Sequence, residues 1–202
     1  MKKNKIVIFA LIVILILIAL SVSQNISNIR EKNMTRQMLV NQVYSYLLQI
    51  STNLDGLFSN VEKNITSGEE IKSSLESIAF TFVKLGTLTE YNRYTIFKNL
   101  YSPSILGFDY IGGTLGIGGS ITNGINIDGI MKDGIISENE IRYLRVLRDD
   151  IKTMLDKMVS VDDPPRVNQN LTIDQLSQVF KDFFSTWSDF NSNNCPIRML
   201  QS

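Results

Sequence analysis

Apolar residues fall on this chain in three distinct patterns. From Ile6 to Leu20 they run without a break, fifteen in a row. From Leu39 to Ile65 they recur at steps of three and four, through Val43, Tyr46, Ile50, Leu54, Leu57 and Val61. From Gly107 to Gly134 they are scattered among nine of the twelve glycines. The first pattern suits a helix with apolar surroundings on every side. The second suits an amphipathic helix with one covered stripe, and the third suits short strands and tight turns.

Further helices are announced by their starts. Ser67-Gly-Glu-Glu70 has the form of a capping box, in which serine and glutamate satisfy free backbone N–H groups. Its predicted stripe is Ile71, Leu75, Ile78, Phe82 and Leu85, with Gly86 as a stop. Thr87-Leu-Thr-Glu90 repeats the signal ahead of a short helix bearing Tyr91, Tyr94, Phe97 and Leu100, which Pro103 ends. Ser137-Glu-Asn-Glu140 opens another, with stripe Ile141, Leu144, Leu147, Ile151, Leu155 and Met158. Asp162-Asp-Pro-Pro165 reads as a stiff linker. Thr172-Ile-Asp-Gln175 starts the last helix, whose stripe is Leu176, Val179, Phe180, Phe183, Trp187 and Phe190. The polar tail after Asn191 is expected to fray or to dock weakly.

The glycine-rich segment carries no charge from Tyr110 to Ile127. Its Asn-Gly and Asp-Gly steps among β-branched residues predict a β-hairpin or loop insert over residues 107–136. The lysine of a phosphate loop and the helix of a dinucleotide fingerprint do not accompany it.

Lys2, Lys3 and Lys5 precede the uninterrupted run. Its length is the upper limit for an export signal, and Ser21 and Ser23 would tolerate a cut before Gln24. With its flanks, however, it covers about 27–30 Å as a helix, near the hydrocarbon thickness, and no Gly or Pro breaks it. An uncleaved anchor is the expectation. The basic head favours an N-terminus in the cytoplasm, although Arg30, Lys32 and Arg36 follow the span. The apolar run continues into the amphipathic one without proline, an outline shared with type IV pilins. The pilin cleavage glycine and early glutamate are missing here.

Composition removes several chemistries. Formal net charge is zero, but three of the 20 basic residues sit in the head, so the remainder is net −3. Such a body is a poor match for nucleic acid. There is no histidine and a single cysteine, Cys195. Histidine-based triads, ordinary zinc sites and internal disulfides are thereby excluded. Residues 129–140 resemble the later half of an EF-hand calcium loop, with Asp133 fifth, Gly134 sixth and Glu140 twelfth. Gly129 and Met131 occupy the first and third positions, where oxygen ligands belong, so no calcium site is expected.

The expected fold is mainly α: an N-terminal transmembrane helix followed by an extracytoplasmic helical bundle with the glycine-rich insert. Residues 1–5 form a cytoplasmic head, 6–23 the anchor and 24–202 the body. The span would present Ile6, Phe9, Leu11, Ile14, Leu17 and Leu20 to lipid. Val43, Tyr46, Ile50, Leu54, Phe183 and Trp187 are core positions that could instead form a contact surface. The expected function is that of a non-enzymatic, single-pass membrane protein whose body contacts other protein subunits, a further copy included, as sensor, scaffold or envelope component. No cofactor, metal or nucleic acid enters this reading. A self-assembling filament or virion subunit is the first alternative, and a secreted protein after signal cleavage the second.

Overall fold

The structure, a computed structural model, describes residues 2–92, 108, 111–115, 120–122, 125–127, 129–161, 166–187 and 195–200. The side chains of residues 2–13, 15, 16, 92, 120–122, 125–127 and 198 lie outside that description. The chain is mainly helical. Its elements are α1 (Lys2–Glu62), α2 (Glu69–Asn92), β1 (Ser120–Thr122), β2 (Ile125–Ile127), α3 (Glu138–Met158), α4 (Ile173–Trp187) and a 3-10 helix (Pro196–Leu200). Residues Met1–Leu39 and Val40–Ser202 form two units. The first is a helical segment whose described side chains from Leu17 to Thr35 are all exposed.

In the second unit the stripe on α1 consists of Val40, Val43, Leu47, Ile50, Leu54, Leu57 and Phe58, each at most 5% exposed. This corrects the predicted stripe at three places. Leu47 takes the place of Tyr46, because the step from Val43 is four and the next is three. Tyr46 is half-buried, its hydroxyl accepting a bond from Gln42 Nε2 at 3.2 Å. Val61 is only half-buried, and Ile65 lies beyond the helix and is exposed. Asn64 ends α1: its φ is +61°, and Ile65 N–H reaches back to the Asn60 carbonyl at 3.0 Å. Asparagine tolerates the left-handed conformation, so it stops a helix as glycine does.

Helix α2 differs more from expectation. Lys72 N–H donates to the Gly68 carbonyl at 3.2 Å, which makes Gly68, with φ +104°, the residue ahead of the first turn. Ser67 instead forms an antiparallel bridge with Ile135, supported by Ile136 N–H donating to the Thr66 carbonyl at 2.9 Å. The stripe Ile71, Leu75, Ile78, Phe82 and Leu85 is buried as predicted. However, α2 runs through Gly86 and through the presumed second start at Thr87–Glu90. The two threonines bond inside the helix: Thr87 Oγ1 donates to the Val83 carbonyl at 2.9 Å and Thr89 Oγ1 to that of Gly86 at 2.8 Å. Threonine in a helix interior satisfies its hydroxyl this way, so a start signal there is ambiguous. Tyr94, Phe97, Leu100 and Pro103 lie outside the described residues.

The glycine-rich segment is not all strand and turn. Residues 111–115 are helical, with Ile111, Thr114 and Leu115 buried. Gly112 explains how they come so close to α2, since a Cβ at that position would meet the Ala79 carbonyl oxygen at 3.1 Å. Further on, β1 and β2 pair antiparallel, Ser120 opposite Ile127 and Thr122 opposite Ile125. Residues 116–119, 123, 124 and 128 lie outside the description.

Both later capping boxes form. Ser137 Oγ accepts from Glu140 N–H at 3.3 Å while Glu140 Oε2 accepts from Ser137 N–H at 2.6 Å. Thr172 Oγ1 and Gln175 Oε1 repeat the exchange at 3.2 and 2.8 Å. Tyr143 and Met154 join the predicted stripe on α3, Phe184 joins that on α4, and Ile141 is only half-buried. Residues 162–165 and Phe190 lie outside the description; the linker's flanks are held by a Val159–Val167 bridge. The tail docks, against the expectation of fraying: Cys195 and Ile197 are at most 2% exposed, and the 3-10 helix packs on α3 and α4.

Candidate functional site

Three features of the chain invite a functional reading. The first is the aromatic centre of the body. Phe108, fully buried, touches Phe82 of α2 and Phe180, Phe183 and Phe184 of α4, with ring centroids 4.6–6.1 Å apart. Trp187 stacks on Phe183 at 5.5 Å and meets Tyr143 edge-on at 5.4 Å. Two polar groups are tied into this cluster. Trp187 Nε1 donates to Asp150 Oδ2 at 2.8 Å. Thr114 Oγ1 donates to the Ile111 carbonyl at 2.8 Å and lies 3.0 Å from the Tyr143 hydroxyl, which is left to donate to it. Burial pushes the Asp150 carboxyl above the usual aspartate value; the indole bond opposes the rise and Asp149 adds to it. Ring centroids at these distances are those of packed aromatic side chains in a core.

The second feature is the loop resembling half of a calcium site. Its acids already have partners. Glu140 spends one oxygen on Ser137 N–H and the other on Met131 N–H, at 3.0 Å. Asp133 Oδ1 accepts from Ile135 N–H at 3.1 Å, an Asx turn around Gly134, whose φ is +85°. Met131 itself has φ +61°, which is costly for a side chain of its shape, and the Glu140 bond holds it there. Among the described residues no group of three or more His, Cys, Asp or Glu could hold a metal ion. An open depression of about 470 Å³ lies beside the loop, lined by Lys132, Asn139, Met199 and Leu200 among others.

The third feature is apolar surface. Ile14, Leu17 and Leu20, three of the six residues assigned to the span, are 52%, 59% and 56% exposed. The side chains of Ile6, Phe9 and Leu11 lie outside the description. Among the described residues, no helix is long and apolar enough to cross a membrane. In the body, Phe80, Val83 and Tyr91 share one face of α2 and are 60%, 42% and 81% exposed, with Lys84 Nζ 4.3 Å above the Phe80 ring.

The residues offered as a contact surface are placed differently. Val43, Ile50 and Leu54 are fully buried, and Phe183 and Trp187 are 5% and 2% exposed. They face inward and are consumed by the body's own core. Sequence reasoning missed Leu47, Phe58, Phe108, Tyr143 and Phe184, all buried. A wider stripe on each helix would have included most of them; nothing around Phe108 in the sequence marks it as a hub.

No protein-family model matches this chain, and no curated protein or solved structure matches it either.

Proposed function

We propose that the protein is a single-pass membrane protein, anchored by residues 6–23, whose helical body over residues 24–202 contacts other proteins on the far side of the membrane. The observation that carries this reading is the uninterrupted run Ile6–Leu20 behind three lysines. Its backbone belongs to α1, and Ile14, Leu17, Ile18 and Leu20 all expose their side chains. Apolar side chains on successive faces of one helix are costly in water and stable in hydrocarbon. The lysine-rich head supports a cytoplasmic N-terminus.

The body supports a binding role over a catalytic one. Histidine does not occur in the chain, and the acids of the calcium-like loop are committed to backbone N–H groups. The packing between helices, tied at the surface by Lys152–Asp55 at 2.8 Å and Lys157–Asp182 at 2.7 Å, suits a rigid scaffold. Contact with partners would use the outer faces of the helices, since the inward stripes are taken.

Alkaline carbonate extraction of cells making the full chain tests the anchor. Retention in the membrane pellet at the full 22.9 kDa is the expected result. A soluble product beginning at Gln24 would overturn it.

A further inference from the structure

We propose that residues 22–33 of α1 associate with the same residues of other copies as a short parallel coiled coil, with Val22, Ile26, Ile29 and Asn33 as its seam. The proposal rests on the anchored reading, which sets copies side by side in one orientation. It places the contact from the last turn of the anchor, at Val22, onward into a stretch that belongs to water. Gln24, Asn25, Asn28, Arg30, Glu31 and Lys32 occupy the rest of the helix circumference there. Against that polar background Val22, Ile26 and Ile29 are 51%, 50% and 58% exposed, at steps of four and three. One apolar strip on an otherwise polar helix in water calls for cover.

Two observations select a second copy as the cover. Asn33 is exposed and continues the spacing by a step of four. A lone asparagine in an apolar seam is best satisfied by another asparagine at the same level, and it fixes register between parallel identical helices. The flanking positions agree: in a parallel pair Asn25 faces Arg30 and Lys32 faces Gln37, so no like charges oppose each other. Arg36 falls at the next seam position, where two guanidiniums would meet, so the seam ends at Asn33. β-Branched residues at both kinds of seam position lean toward three strands and an asparagine toward two, with the same residues inside in either case. Confinement in one bilayer raises the local concentration enough for a short seam to close.

Cysteine scanning tests this. Cys195→Ala removes the only thiol, and single cysteines are then placed at each position from 22 to 33 of the full chain. The variants are reconstituted in phosphatidylcholine vesicles and oxidised with copper phenanthroline, with Trp187 fluorescence confirming that the body is folded. Disulfide-linked pairs are expected several-fold more often at 22, 26, 29 and 33 than at 24, 27 and 31 on the opposite face. Asn33→Asp should lower pairing at position 29 several-fold, and Asn33→Gln should restore it. A profile without helical period, or a maximum on the opposite face, overturns the proposal. Carbonate extraction of the same vesicles separates the two readings. Retention with a flat profile sinks the seam alone, whereas release from the vesicles sinks the anchor.

Discussion

Trp187 and Asp150 are joined by a 2.8 Å hydrogen bond that pins the end of α4 to the flank of α3. The indole N–H has a buried ring behind it, and Asp150 keeps part of its carboxylate in solvent. This one bond lets the largest side chain of the core sit inside without an unsatisfied donor. Asp150→Ala should therefore cost about 1–3 kcal/mol, the penalty of stranding a donor. Asp150→Asn, which still offers an acceptor oxygen, should cost much less. Urea unfolding followed by the fluorescence of Trp187, the single tryptophan, measures both.

The same pair gives a signed dependence on pH. The folded Asp150 binds its proton more tightly than the unfolded chain does, chiefly through burial. Its contribution to stability is thus present in full below the ordinary aspartate value of 3.8 and is lost as pH rises through the raised folded value. Asp150→Asn should gain on the wild type as pH is raised from that region toward neutrality. Asp182 runs the other way. Bonds from Lys157 and Gln178 lower its value, so its contribution is lost as pH falls. Being exposed, it should have only a small effect. A stability cost of Asp150→Asn that grows with rising pH would contradict this assignment.

Three glycines separate three costs. At Gly112 an added Cβ would press on the Ala79 carbonyl oxygen at 3.1 Å and on Val83 Cγ2 at 3.3 Å, and backbone cannot move aside as a side chain can. Gly112→Ala should cost about 1–3 kcal/mol by overpacking. Gly134 has open space around it but φ +85°, so Gly134→Ala should cost about 1–2 kcal/mol through backbone strain alone. Gly56, inside α1 and exposed with nothing nearby, should gain about 0.5–1 kcal/mol as alanine. Denaturation midpoints of the three variants would rank them.

The contrast among these glycines shows what a sequence discloses. The stripes on α3 and α4 were legible because their capping boxes and apolar spacing agree, so local and tertiary preferences point the same way. Gly86 misled because a glycine in a sequence looks the same whether it ends a helix or lies buried within one. Gly112 reads as a turn residue among its glycine neighbours, yet its role is a close approach to α2 that only the packed chain reveals. The docked tail was illegible for a related reason. Cys195, Pro196 and Ile197 are too few to show a period, and what buries them is the end of α4 and the face of α3. Apolarity at helical spacing could not choose between core and contact surface for Val43, Ile50, Leu54, Phe183 and Trp187, because it does not say whether the cover comes from the same chain or another; in the folded chain they are buried.

Glu140 offers a test of the calcium-like loop. Its two oxygens hold Met131 N–H and Ser137 N–H, closing the loop and capping α3 together. Glu140→Ala removes both and should cost about 1–2 kcal/mol, the upper range for a lost cap. Glu140→Gln keeps one acceptor oxygen and should fall between. Calcium at millimolar concentration should leave the thermal midpoint of the wild type unchanged, because the acids that would bind it are already engaged. A calcium-dependent rise in that midpoint, lost in Glu140→Gln, would reverse the conclusion.

Cys195 reports whether the tail stays docked. Its side chain is 2% exposed, and Sγ approaches the Trp187 carbonyl at 3.6 Å. Ile197, 1% exposed, holds the 3-10 helix beside it. A thiol reagent can reach the sulfur only when this segment opens, so labelling in the native protein should be orders of magnitude slower than in urea, the ratio reporting the free energy of opening. Ile197→Ala deletes buried apolar volume and should cost about 2–4 kcal/mol if the segment is part of the cooperative core. The two measurements together locate the tail. If Ile197→Ala speeds labelling and lowers the urea midpoint by equivalent amounts, the tail opens with the whole body. If it speeds labelling alone, the tail is a separate unit that lifts off a body still folded around Trp187. Native labelling as fast as in urea would mean that the segment does not dock at all.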